Sequence, residues 1–294
     1  MKVSKFIALG VTLTASLALS GCVPVAPTTV PTVSSRVGIN AEAVAALPSQ
    51  YSVDGILNVA IDPTYAPNES TDGHGNPVGW EVELGNAIAA RLGLRMQFST
   101  FNFANILTSV QQGKYDIGLS SIFDTAERRK LVDMVDYYTA GTQWAQRTGG
   151  VNVDPNNACG LSVSVQTNSY QADVDLVARS QKCVAAGREK IHIFSYTIQS
   201  DSIEAVKLGH ADAVVADSPV TQYEVKNSAG KLEIKYPAYD EQYYGMAVQK
   251  GNGLSTALRL AIQSLINDGT YRSILAAWGV QLGALPKALF NAGN

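Results

Sequence analysis

From Gly55 onward the apolar positions of the chain switch between two rhythms. Ile56-Leu57-Asn58-Val59-Ala60-Ile61 is a short apolar run of buried-strand type, closed by Asp62-Pro63. Residues 83–92 then place Leu84, Ala87, Ile88 and Leu92 at helical spacing, with Gly93 as a C-terminal cap. Residues 95–98 read as a strand and 103–112 as a helix with Ile106, Leu107 and Val110 on one side. Residues 116–119 form the next strand, running into Ser120-Ser121. The rhythm resumes past Gly149, with strands at 161–165, 191–194 and 213–216 and helices at 169–180 and 202–209. A strand at 245–249 and a strongly periodic helix at 254–267 follow. Such alternation predicts an α/β fold with parallel sheets. Ligands of those sheets sit outside the carboxyl ends of strands, where Asp62, Ser120, Ser121 and Asp217 all stand.

The first residues follow neither rhythm. Lys2 and Lys5 precede an uncharged apolar run from Phe6 to Leu19. That run is shorter than the roughly 20 residues a spanning helix needs, and it fits a secretory signal. Leu19-Ser20-Gly21-Cys22 resembles a bacterial lipobox. The resemblance implies a lipoprotein signal peptide over 1–21, removed so that Cys22 becomes the lipidated (palmitate-bearing) N-terminus. An ordinary signal peptide that ends near a cysteine is the alternative. Prolines 24, 27 and 31 hold the next stretch extended, so 22–51 reads as a Pro/Thr-rich tether.

Composition narrows the classes. The 294 residues are 46% hydrophobic and 16% charged, with a formal net charge of −3. A disordered chain is excluded, and no basic cluster points to nucleic acid. No fixed-period repeat stands out. His74, His192 and His210 are scattered, so no metal site is expected. Beyond Cys22 only Cys159 and Cys183 remain, and export favours a disulfide between them over two free thiols.

The strand ends carry the candidate chemistry. Arg128, a turn beyond Ser120 and Ser121, can grip a carboxylate with two parallel hydrogen bonds, or can be a helix-surface arginine beside Arg129 and Lys130. Asp217 can pair with an ammonium group, or can cap a helix starting near Pro219. Tyr65 and Phe103 offer aromatic faces, for a ligand or for the core. An arginine with hydroxyls at one strand end and an aspartate at another complement a zwitterion, an α-amino acid.

With those residues in view, the chain over 52–286 resembles a family 3 bacterial solute-binding protein, the amino-acid receptor of ABC importers. The resemblance rests on Gly79-Trp80-Glu81-Val82-Glu83-Leu84, Gly113-Lys114-Tyr115-Asp116, Thr125-Ala126-Glu127-Arg128, Gly209-His210-Ala211-Asp212-Ala213, Ala216-Asp217-Ser218-Pro219, Asp268-Gly269-Thr270-Tyr271 and Trp278-Gly279, in order and spacing. Trp80 and Phe123 depart from the family's usual smaller residues. The resemblance implies a two-lobe periplasmic-binding-protein fold (type II, Venus flytrap), with lobe I at 52–145 plus 241–294, lobe II at 146–240, and two hinge crossings.

By matching position, Arg128 would hold the ligand's carboxylate and Asp217 its ammonium, with Ser120 and Ser121 adding contacts. Tyr65 and Phe103 would sandwich the side chain, Phe123 would line its pocket, and Asp62 would reach its far end. Gln166, Asn168 and Ser169 would complete the carboxylate end. Asp62 favours a polar or cationic amino acid, while Phe123 leaves an aromatic or opine-like one open. The implied partners are an ABC permease, its ATPase and, through the N-terminal lipid, the outer face of the bacterial cell membrane. A monomer without cofactor, not an enzyme, is expected. A ligand-sensing lipoprotein without transport, or a dehydratase on the same fold, are the alternatives.

Overall fold

The computed structural model describes residues 37–293. The expected signal peptide, Cys22 and prolines 24, 27 and 31 of the expected tether lie outside the described residues. The helices are α1 (Ala41–Ala45), α2 (Trp80–Arg91), α3 (Phe103–Gln111), α4 (Leu176–Ala185), α5 (Gln199–Lys207), α6 (Ser218–Asn227), α7 (Leu254–Asn267) and α8 (Thr270–Trp278). The strands are β1 (Ile56–Ile61), β2 (Ser70–Thr71), β3 (Pro77–Val78), β4 (Arg95–Thr100), β5 (Ile117–Gly118), β6 (Asp133–Arg147), β7 (Ser162–Gln166), β8 (His192–Tyr196), β9 (Ala213–Asp217), β10 (Leu232–Glu233), β11 (Tyr239–Val248) and β12 (Ala284–Phe290).

The main sheet runs β4-β1-β5-β11-β6-β9-β7-β8. At one end β4, β1 and β5 are parallel, and at the other β9, β7 and β8 are parallel. Between them the long strands β6 and β11 pair antiparallel. β6 serves both ends: its first half pairs with β11 and β12, its last residues with β9 and β10. Each end carries its own apolar core. The first gathers Leu57, Trp80, Leu84, Ile88, Tyr137, Leu258 and Ile262, and the second gathers Trp144, Val163, Leu176, Ile191 and Val215. The fold is therefore α/β with two lobes sharing one curled mixed sheet, and loops after β1, β5, β7 and β9 face a common cleft.

Local causes are visible along the chain. Gly118 on β5 lets α3 approach closely, because a Cβ there would lie 2.6 Å from Ile106 Cγ2. The Asn102 side chain caps α3 by accepting from the Ala104 N–H at 3.0 Å, which fixes Phe103 at the cleft rim. Cys159 and Cys183 form a disulfide with Cα atoms 5.5 Å apart, tying the loop before β7 to α4.

Several sequence expectations are corrected. Residues 37–51, read as the end of the tether, belong to the folded body: Asn40 caps α1, and Ala43 and Tyr51 are buried in the first core. Helix α2 starts at Trp80 rather than residue 83, because Gly79 makes the turn into it. The helix expected at 169–180 opens as a π turn over Gln171–Asp175, becomes α-helical at Leu176 and extends to Ala185. The strand expected at 116–119 is only Ile117–Gly118, and the one at 245–249 is the end of a ten-residue strand. β6, the strand that joins the lobes, was not expected.

Candidate functional site

The cleft is built from strand ends. Asp62 follows β1 and is buried, its backbone N–H donating to Ser120 Oγ at 3.0 Å. Asp62 Oδ1 accepts from Thr64 Oγ1 at 2.9 Å, and Oδ2 accepts from the Phe103 N–H at 3.2 Å and from Gln166 Nε2 at 3.0 Å. Gln166 ends β7, so that last bond closes the cleft from the opposite lobe. Burial pushes the Asp62 carboxyl above its ordinary range despite these donors.

Asp217 ends β9 and occupies the N-cap position of α6, yet its side chain makes no cap hydrogen bond. Oδ1 instead accepts from Gln171 Nε2 at 2.7 Å and Oδ2 from the Tyr244 hydroxyl at 2.7 Å, while its N–H donates to the Tyr65 hydroxyl at 3.1 Å. The capping alternative is thus not the use the fold makes of this carboxylate. Burial raises its pKa to about 6.

Arg128 begins a single 3-10 turn over Arg128–Lys130 rather than lying on a helix surface. Nη1 donates to the Phe123 carbonyl at 3.0 Å, and Nη2 donates to the Asn168 carbonyl at 3.1 Å across the cleft. The guanidinium lies 5.6 Å from the Phe103 ring centroid. Two backbone carbonyls and a ring face hold the guanidinium in the cleft wall, and burial lowers its pKa from the ordinary value.

Asp62, Tyr65, Phe103, Ser120, Ser121, Phe123, Arg128, Gln166, Ser169 and Asp217 line one closed, narrow cleft pocket. Asn168 turns a carbonyl to Arg128 and borders the cleft mouth beside Phe103. Tyr65 is buried and its hydroxyl is held at Asp217, so it packs into the floor while Phe103 stays partly exposed.

Residues that sequence reasoning did not single out complete the walls: Glu69, Tyr170 and Gln171. Glu69 is fully buried, and it accepts from Ser120 Oγ at 2.9 Å. Its turn docks on the start of α2 because Gly79 takes φ +139°, where a Cβ would sit 2.1 Å from the Asn68 carbonyl oxygen. Behind it Glu81 accepts from the Tyr137 hydroxyl at 2.6 Å and from the Ser121 N–H at 3.0 Å. Burial and the neighbouring Glu81 push Glu69 well above the carboxylate range. Ser120 and Ser121 lie about fifty positions along the chain, and Glu81 lies beyond the next turn on α2, so no local spacing signals it.

The pocket wall thus carries three carboxylates, Asp62, Glu69 and Asp217, against one guanidinium, Arg128. Ionising all three in this buried wall would leave an excess of negative charge, which a ligand bringing positive charge in would offset. Among the described residues, no group of three or more His, Cys, Asp or Glu side chains is placed to hold a metal ion. No described helix is long and apolar enough to cross a membrane.

Comparison with known proteins agrees with this architecture. An arginine-binding protein of Corynebacterium glutamicum is 38% identical over 84% of this chain and 82% of its own length. An L-arginine-binding protein of Pseudomonas aeruginosa is 27% identical over 81% of this chain and 92% of its own. Among solved structures, an ancestral arginine-binding protein bound to arginine superposes with a TM-score of 0.70 at 29% identity, covering 76% of this chain and 98% of its own. An amino acid ABC transporter substrate-binding protein from Streptococcus pneumoniae, bound to L-arginine, superposes with a TM-score of 0.69 at 28% identity, covering 80% and 99%. The pattern of the bacterial extracellular solute-binding proteins, family 3, matches residues 57–281, and the chain belongs to that family.

Proposed function

We propose that this protein captures a cationic α-amino acid, arginine foremost, and presents it to an ABC permease. The observation that carries the reading is the charge layout of the cleft. Arg128 stands at one wall with two carbonyls orienting its fork, and Asp217 stands opposite with its carboxylate held by Gln171 and Tyr244. In this reading the ligand's carboxylate meets Arg128 and its ammonium meets Asp217. The remaining carboxylates, Asp62 and Glu69, then face the side chain and select a cation. Phe103 supplies an apolar wall, with Phe123 behind it. The names of the relatives support arginine as the ligand.

The lobes are taken as 52–145 with 241–294, joined by residues 37–51 on the first core, and 146–240. A ligand touching both favours the closed form only through its better contacts there. Binding without turnover is the proposed role: the cleft carboxylates have partners that serve recognition, and the relatives named above are binding proteins. Family membership implies an extracytoplasmic location and permease and ATPase partners. Lipid anchoring through Cys22 and a monomeric body complete the proposal.

The test is a thermal-shift panel on refolded protein, with arginine, lysine, ornithine, glutamine and glutamate. A saturable rise for the cationic amino acids, largest for arginine and absent for glutamate, is expected. An equal or larger rise with glutamate would overturn the charge argument.

A further inference from the structure

Glu69 and Glu81 are both fully buried and meet at one hydroxyl, Ser121 Oγ, 3.3 Å from Glu69 Oε2 and 2.9 Å from Glu81 Oε1. A serine hydroxyl has one hydrogen to give and two lone pairs. Asn68 Nδ2 donates to this oxygen at 2.7 Å, and the hydroxyl hydrogen goes to the nearer acceptor, Glu81. Glu81 also receives the Tyr137 hydroxyl and the Ser121 N–H, so its donors are complete. Glu69 Oε1 receives the Ser120 hydroxyl, but nothing is left to donate to Oε2.

The arrangement closes if Glu69 Oε2 itself carries a hydrogen. It then donates to the free lone pair of Ser121 Oγ or directly to the Glu81 carboxylate, with which its side chain is hydrogen-bonded, and every polar atom of the group Glu69–Ser121–Glu81 is satisfied. The titratable groups around the pair are Asp62 after β1, Tyr65 in the next turn, Tyr137 and Tyr138 on β6 and Tyr244 on β11. None of these is a cation. Two buried carboxylates without a cation cannot both be ionised cheaply, and the raised pKa values of both agree with that count. Arg128 lines the same pocket, but its charge acts on Asp217.

We propose that Glu69 holds a proton in the ligand-free protein and that a cationic ligand side chain displaces it, so that capture of arginine releases one proton. The inference rests on the cationic-ligand reading above. In the step, the Glu69 O–H bond breaks, its electron pair stays on the carboxylate, the proton leaves to solvent, and the guanidinium takes its place as the compensating charge. Arginine's side chain stays protonated throughout. The site therefore exchanges one cation for another, and arginine binds more tightly as the pH rises. Glutamine has the same α-groups and no charge on its side chain, so it leaves the Glu69 proton where it is.

The experiment is calorimetric titration of the protein with arginine and with glutamine, at about pH 7.5, where Asp217 is already ionised. Repeating it in buffers of different ionisation enthalpy counts the protons released. About one proton per arginine and about none per glutamine is expected. A count near zero for arginine, with clear binding, overturns the inference while leaving the ligand assignment intact. No arginine binding at any pH overturns both. Infrared spectroscopy supplies a second reading: a protonated-carboxyl band present in the free protein, lost on adding arginine, and missing from Glu69→Gln. Asp136, buried outside the cleft with a pKa of about 7, can contribute a band that arginine leaves unchanged. An arginine-sensitive band that is the same in Glu69→Gln as in the parent, or no arginine-sensitive band in the parent, contradicts the assignment of the proton.

Discussion

Gln166 Nε2 donates to Asp62 Oδ2 at 3.0 Å, joining the end of β7 in one lobe to the end of β1 in the other. Both residues are buried, and the bond spans the cleft between the two lobes. It shows how closure is recorded in the site: a neutral amide supplies a donor to a carboxylate that burial would otherwise leave short. The same carboxylate is proposed to face the ligand's side chain. Closure and side-chain selection thus share one residue.

Gln166→Ala removes that latch while leaving Arg128 and Asp217 in place; Gln166, expected at the carboxylate end, has its amide on Asp62 instead. A hydrogen bond to a charged group contributes about 1.5–3 kcal/mol, so arginine affinity should fall roughly tenfold to a hundredfold. The far-UV circular dichroism spectrum should not change. Isothermal titration of the variant checks this, and unchanged affinity would mean that Asp62 and Gln166 do not govern closure.

Arg128→Ala should weaken arginine binding by at least about 2 kcal/mol, or roughly thirtyfold, since a buried carboxylate loses its only guanidinium. Arg128→Lys should recover only part of this, because an ammonium cannot form two parallel bonds. Melting temperatures of the ligand-free variants should stay close to that of the parent. Binding constants for the pair of variants provide the check.

The pH dependence follows from Asp217. Its pKa is raised from 3.8 to about 6 by burial. A raised carboxyl pKa stabilises the ligand-free fold below the ordinary value, and that contribution is lost as the pH rises through about 6. Binding runs the other way, because the ligand's ammonium needs the ionised form. The thermal shift produced by saturating arginine should therefore grow between about pH 5 and pH 7. A shift that is constant over that window would exclude Asp217 as the ammonium's partner.

Removing the disulfide tests the second lobe. Cys159 and Cys183 are 24 positions apart, and closing such a loop contributes about 3 kcal/mol in the chain-entropy picture. The double variant Cys159→Ser, Cys183→Ser should melt several degrees lower yet still bind arginine, since neither cysteine lines the cleft. Differential scanning calorimetry with and without ligand measures both effects.

Much of this was legible in the sequence, for physical reasons that differ by residue. Asp62 and Asp217 could be placed because each ends a run of buried apolar residues, and a polar residue at the carboxyl end of a buried strand has few places to go. Arg128 was legible as a candidate only, since a helix-surface arginine beside Arg129 and Lys130 was the competing reading until the fold put its side chain in the cleft wall. Glu69 was not legible at all: it sits in a turn, and its environment comes from Ser120 and Glu81, which only the fold brings to it. β6 was hidden for another reason. Residues 133–147 are buried along most of both faces, so no alternation of polar and apolar positions betrays a strand.

The orientation of the ligand is the central claim, and a crystal structure of the protein grown with arginine tests it most directly. The account predicts the α-carboxylate on the Arg128 guanidinium, the α-ammonium on Asp217, and the side-chain guanidinium between Asp62 and Glu69. Arginine bound with its guanidinium against Asp217, or bound outside this cleft, would contradict it.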